Sequence, residues 1–92
     1  MKVAILLATF NAKKHIRELL DSLINQTYRE FTIFYHDDGS EDETLHFMAE
    51  FEKENPGKFI SLKGPATGGA KQNFMYMLGQ VEADYYFFCD DD

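Results

Sequence analysis

The sequence predicts an α/β fold: an open parallel sheet of about four strands with helices on both faces. Three observations predict it. Four apolar runs rich in β-branched and aromatic residues read as strands: "VAILLA" (3–8), "FTIFYH" (31–36), "FISL" (59–62) and "YYFFC" (85–89). Their near-continuous apolar character, without clean polar alternation, suits strands covered on both faces. Segments of helical period lie between them, so the order is β-α-β-α-β-α-β, the pattern of parallel strands joined by right-handed crossovers.

Each element has its own justification. The first run follows Met1 and Lys2 and is far too short to span a membrane or to make a full signal peptide, so it reads as a buried strand. The first helix carries Ile16, Leu19, Leu20, Leu23 and Ile24 on one stripe, with Asn11 as its candidate N-cap. After the second strand, "SEDE" reads as a capping box of Ser40 with Glu43. The helix it opens carries Leu45, Met48 and Phe51 towards the core and stops at "NPG" (55–57). The third helix carries Phe74, Met77, Leu78 and Val81 on one stripe. The fourth strand runs directly into three aspartates, Asp90, Asp91 and Asp92.

Composition narrows the function. A chain of 92 residues forms one domain at most, and with 45% apolar residues it can bury a core. A net charge of -7 argues against nucleic acid or an anionic membrane surface as a direct partner. A phosphate-bearing ligand would need a cation between it and the protein. Cys89 is the single cysteine, which excludes an intrachain disulfide and suits a reducing cytoplasm. Its apolar surroundings point to a structural rather than a reactive thiol.

A distinctive polar stretch follows each strand: "TFN" (9–11), "DDGS" (37–40), "GPATGG" (64–69) and "DDD" (90–92). In an open parallel sheet all the carboxyl ends lie along one edge, so four distant stretches would meet at one crevice. Each also has a plain structural reading, as turn and helix start, flexible loop or solvated tail. The glycines match neither the dinucleotide spacing nor the Walker pattern, and the glycine of "DDGSEDE" falls too early for a calcium loop. Asp37 and Asp38 together exceed what helix capping requires. Three terminal carboxylates repel one another unless a cation sits among them, and Mg2+ or Mn2+ favours such oxygens. His15 and His46 read as surface residues, whereas His36 immediately precedes the acidic pair. The acids between positions 37 and 54 read mostly as the solvated face of the second helix.

Taken together, "LLATFNAKKHIRELLDSLINQTYREFTIFYHDDGSEDET" and "ADYYFFCDDD" resemble the amino-terminal half of family 2 glycosyltransferases of the GT-A fold, whose nucleotide-binding half is Rossmann-like. "GGAKQNFMYML" is most similar to the rhamnosyltransferase-like branch. The resemblance covers essentially the whole chain and implies that residues 1–92 are the truncated nucleotide-sugar-binding part of such a domain. It implies a nucleotide-diphosphate-sugar donor, a saccharide or lipid-linked acceptor hydroxyl, and a Mg2+ or Mn2+ ion at a DxD motif. Thr9, Phe10 and Asn11 match a Thr-Tyr-Asn-like motif that packs around the nucleobase, with a hydroxyl lost at Phe10. Asp38 matches the acceptor for the base, with Asp37 beside it. Asp90 and Asp91 would lie near the ribose, and Asp92 with Asp90 would hold the metal. Lys71 falls near an arginine that contacts base or phosphate in relatives. The catalytic base and acceptor site would lie beyond residue 92, leaving this chain able to bind nucleotide and metal but not to transfer sugar. The resemblance also implies cell-wall or capsule polysaccharide synthesis, in the cytoplasm or at the inner face of the membrane. A truncated sheet would expose an edge and invite self-association. The residues leave two further readings open, a nucleotidyltransferase-like enzyme and a non-catalytic α/β interaction module.

Overall fold

The structure, a computed structural model, describes residues 2–25 and 30–90. Its elements follow the expected order: β1 (Val3–Thr9), α1 (Ile16–Ile24), β2 (Thr32–Asp37), α2 (Thr44–Glu54), β3 (Phe59–Ser61), α3 (Ala70–Gln80) and β4 (Tyr85–Asp90). The four strands pair in the order β3-β2-β1-β4, all parallel.

β1 is an interior strand, between β2 and β4, and all of its residues are buried. Successive side chains alternate between the faces. Val3, Ile5 and Leu7 join Ile16, Leu20 and Leu23 of α1 and Met48 and Phe51 of α2 in one core. Ala4, Leu6 and Ala8 point the other way, against Met77 of α3 and Val81. Helices therefore cover both faces, α1 and α2 on one and α3 on the other. The chain steps outward from β1 to β2 to β3, then crosses back to lay β4 on the far side of β1. Strand order thus reverses between β1 and β4, and open sheets of this kind hold ligands in the crevice at such a reversal.

Local details depart from expectation in several places. Asn11 does not cap α1: it has a left-handed backbone (φ 48°), which asparagine tolerates, and its side chain reaches the β2–α2 loop instead. The box of Ser40 with Glu43 does not form. α2 begins at Thr44, whose amide donates to Asp42 Oδ1 at 2.9 Å, because Ser40 is drawn to Asp37. Leu45 lies outside the core at 49% exposure, and the buried stripe of α2 runs through Thr44, Met48 and Phe51. The edge strands are not covered on both faces: Ile60 of β3 is 42% exposed, and Tyr85, Phe87 and Phe88 of β4 are each more than half exposed, because α3 lies mainly over β1 and β2. Phe88 does pack on Phe74 of α3, with ring centroids 5.1 Å apart. Cys89 is partly buried against the α1/α2 core, in keeping with a structural thiol.

Candidate functional site: a crevice at the carboxyl edge

The register brings the expected residues together. Thr9 lies opposite Asp37, and Ala8 lies opposite Asp90, so the ends of β2, β1 and β4 stand side by side. A cavity of about 410 Å³ opens there, lined by Ala8, Thr9, Phe10, Asp38, Ala66, Gly68, Gly69, Ala70, Asn73 and Asp90. That volume suits a small-molecule ligand. Residues from all four polar stretches contribute, so sequence-distant motifs share one site.

The two neighbouring aspartates do different work. Asp37 Oδ1 accepts from Thr9 Oγ1 at 2.7 Å and from Ser40 Oγ at 2.6 Å. Its Oδ2 accepts from the amides of Gly39 at 3.1 Å and Ser40 at 2.7 Å. A carboxylate offers about four lone-pair positions, so Asp37 is fully engaged in tying β1 to the β2–α2 turn. Asp38 faces the other way. Its Oδ1 accepts from the amide and the hydroxyl of Thr67, and its Oδ2 accepts from the amides of Gly68 at 3.1 Å and Gly69 at 3.0 Å. Gly68 takes a backbone angle (φ 96°) that a side chain would disfavour, and this turns its amide towards Asp38. Burial pushes the Asp38 carboxyl up, but the bonds from Thr67, Gly68 and Gly69 outweigh it and hold the group below the usual carboxylate range.

A second set of bonds joins the loop after β1 to the loop after β2. The amide of Asn11 donates to Ser40 Oγ at 2.8 Å, and Asn11 Oδ1 accepts from the Glu41 amide at 2.8 Å. The Ala12 amide donates to the buried Thr44 hydroxyl at 2.8 Å, and the Lys13 amide donates to Asp42 Oδ2 at 3.1 Å. Lys13 Nζ pairs with Glu43 at 2.9 Å, which holds the glutamate low and the lysine high. Asp42 is likewise held low, first by the hydroxyl of Thr44. These bonds present Phe10 at the rim of the crevice, 55% exposed.

The remaining candidates are placed unevenly. Asn11 is bonded between loops and is not among the lining residues. Lys71 sits exposed in the first turn of α3, beside the lining residue Ala70. Asp90 ends β4 at the crevice, exposed, and its oxygen donors suit a hard divalent cation. Asp91 and Asp92 lie outside the described residues. Among the described residues no group of three His, Cys, Asp or Glu side chains is placed to hold a metal ion.

Sequence reasoning missed Asn73 and Thr67. Asn73 is buried one turn before Met77, and a polar residue on an otherwise apolar helix stripe was its available signal. His36, noted beside the acidic pair, is buried behind the crevice rather than open to it.

Comparison with known proteins agrees with this arrangement. The sequence model described as "Glycosyl transferase family 2" matches residues 4–92. The dTDP-rhamnosyl transferase RfbG of Shigella flexneri is 36% identical over 90 residues, covering 94% of this chain and 31% of RfbG. The poly(ribitol-phosphate) beta-N-acetylglucosaminyltransferase TarS of Staphylococcus aureus is 32% identical over all of this chain and 16% of TarS. A crystal structure of TarS 1-349 in complex with UDP-GlcNAc matches the whole chain with a TM-score of 0.78 over 27% of that chain. The mannosyltransferase PcManGT from Pyrobaculum calidifontis, solved with GDP-Man and Mn2+, shares the fold at 21% identity, with a TM-score of 0.80 over 98% of this chain and 27% of its own. The chain thus spans between 16% and 31% of the length of these curated relatives. The parallel sheet and its helices are those of GT-A glycosyltransferases. Of the three readings that the residues left open, the family match selects the first. The chain belongs to glycosyl transferase family 2.

Proposed function

We propose that residues 1–92 are the nucleotide-sugar-binding part of a glycosyltransferase, and that the whole protein transfers a sugar from a nucleotide-diphosphate donor to an acceptor hydroxyl. The observation that carries this reading is the meeting of Thr9, Phe10, Asp38, the 66–69 loop and Asp90 around one crevice at the reversal of strand order. The structure of the relative TarS with UDP-GlcNAc supports a nucleotide sugar as the ligand class.

Phe10 offers its exposed ring for stacking against the base, and Thr9 supplies backbone to the same wall. Asp38 accepts from the base, exchanging the hydrogen bonds it now takes from Thr67, Gly68 and Gly69 for those of the nucleotide. Asp37 contributes indirectly, by holding Thr9 and the turn that presents Asp38. Asn11 likewise acts through the loop it bonds. Lys71 reaches the base or a phosphate from α3. Asp90 and Asp91 would lie near the ribose, and Asp92 with Asp90 would hold Mg2+ or Mn2+.

The metal, when bound, would neutralise charge developing on the departing diphosphate. A cation also answers the charge problem, since a chain of net charge -7 cannot attract a diphosphate unaided. The base that deprotonates the acceptor, and the acceptor pocket, belong to a segment outside residues 1–92. Cell-wall or capsule polysaccharide is the product class, and the cytoplasm or the inner face of its membrane is the place of action. No helix among the described residues is long and apolar enough to cross a membrane.

Calorimetric titration of the chain with UDP and dTDP, with and without Mn2+, tests the reading. Metal-dependent binding is expected, and its absence for both nucleotides would sink it.

A further inference from the structure

A polar pair lies directly behind the crevice wall. His36 in β2 and Asn73 in the first turn of α3 are each 1% exposed. Asn73 Nδ2 donates to the backbone carbonyl of His36 at 2.8 Å, and a carbonyl only accepts. The amide oxygen is therefore the atom that faces His36 Nδ1 at 2.7 Å. His36 Nε2 faces the backbone carbonyl of Gly64 at 3.0 Å. Both facing atoms are acceptors, so which of the two bonds the ring donates depends on which nitrogen carries the hydrogen.

The same place is braced from α3. The ring of Tyr76 packs against the imidazole with centroids 4.8 Å apart, and its hydroxyl donates to the Lys63 carbonyl. Gly64 approaches Tyr76 so closely that an added Cβ would collide with the tyrosine hydroxyl. The loop from Gly64 to Gly69 is thus anchored at its start by His36 and Tyr76, and at its end by Asp38. Its residues Ala66, Gly68 and Gly69 form one wall of the crevice, and Asn73 lines the crevice itself.

We propose that His36, acting with Asn73, is a positioning residue for nucleotide binding: it fixes the start of the 64–69 wall and the first turn of α3 against β2, and so sets the width of the crevice. This role rests on the nucleotide-binding reading given above. His36 touches no nucleotide. It acts through the wall it holds.

The test compares the chain with its His36→Phe and His36→Gln variants. Phe keeps a ring to pack on Tyr76 and has no donor, whereas Gln retains an amide donor. Two quantities are read: affinity for UDP with Mn2+ by calorimetry, and amide exchange of residues 64–70 without added nucleotide. Expected for His36→Phe are UDP affinity weaker by about tenfold and loop exchange faster by about tenfold, with amides of β1 and α1 unchanged. His36→Gln should recover part of both. A His36→Phe chain with the affinity and loop protection of the original overturns the proposal, as does a Gln variant no better than Phe. Should His36→Phe fail to fold, Asn73→Ala removes the amide bonded to His36 Nδ1 and to its carbonyl, and should weaken binding by about threefold with faster loop exchange. No change in either quantity overturns the proposal. If the original chain binds no UDP, the nucleotide reading fails, and with it the role in binding. Loop exchange in the variants then shows separately whether His36 anchors the wall.

Discussion

Adjacent carboxylates with separate jobs make a sharp prediction, and Asp37 is the better probe of the pair. Its four bonds divide by partner: Oδ1 faces two hydroxyls, of Thr9 and Ser40, and Oδ2 faces two backbone amides, of Gly39 and Ser40. Asp37→Asn can keep its oxygen on the amides and turn its NH2 towards the hydroxyls, which are able to accept. It loses charge assistance and the acceptor for the two hydroxyl hydrogens but keeps a partner at each position, at a cost of about 1 kcal/mol. Asp37→Ala loses every bond and takes the acceptor from the Thr9 hydroxyl, which is 1% exposed. Hydrogen bonds to a charged group contribute about 1.5–3 kcal/mol each, but they are not additive, and partial exposure of the turn returns some of the loss. A net cost of about 3 kcal/mol follows. For a domain of this size these costs correspond to falls in Tm of roughly 5 °C for Asn and roughly 15–20 °C for Ala. Urea denaturation and thermal melts of the three chains measure the difference. Calorimetry with UDP and Mn2+ should show Asp37→Asn close to the original chain and Asp38→Asn clearly weaker. The reasoning is refuted if Asn and Ala at position 37 are equally destabilising, or if Asp37→Asn loses nucleotide as fully as Asp38→Asn.

Other outcomes follow from the same geometry. Thr44→Val keeps side-chain shape but removes the buried hydroxyl that accepts from the Ala12 amide, and should cost about 1–2 kcal/mol in urea denaturation. Met77→Ala opens a cavity beneath α3, where the residue is fully buried, and should cost about 2–4 kcal/mol by the same measurement. Burial pushes the Tyr35 phenol up, to about 12, with its bond to Glu52 at 2.7 Å adding to the effect. A raised value means that this stabilisation is full below the ordinary tyrosine pKa of about 10 and is lost as pH rises towards the folded value, so Tyr35→Phe should flatten the alkaline side of a stability–pH curve. Asp38 has the opposite sign: its hold on the loop is present above the ordinary carboxylate value of about 4 and fails as pH falls through its lower folded value, which amide exchange of Thr67–Gly69 should report. We further expect the exposed aromatics of β4 to drive self-association, which light scattering at rising concentration would show and Phe87→Lys would reduce.

The sequence was a good guide wherever the signal was local. Hydrophobic period placed every strand and helix close to its observed position, because burial of one face is written in the spacing of residues along a single element. The crevice was legible for the same reason: parallel strands align their carboxyl ends, so Thr9, Asp38 and Asp90 had to meet once the sheet was parallel. The helix starts were less legible. Asn11 and Ser40 are good capping residues by type, yet Asn11 Oδ1 is taken by the Glu41 amide across the loops, and Ser40 is taken by Asp37.

By itself, then, the amino-acid order determined the alternation of strands and helices, the polar edge and the family. The tertiary structure decided which residues at that edge are held and which are presented. Asp37 and Asp38 look alike in "DDGS", but one is bonded to Thr9, 28 positions before it, and the other to Thr67, 29 positions after it. Partners so distant leave no periodic trace in either neighbourhood. Only the packed sheet sets them within hydrogen-bonding distance, and that contact gives one aspartate to the scaffold and the other to the crevice wall.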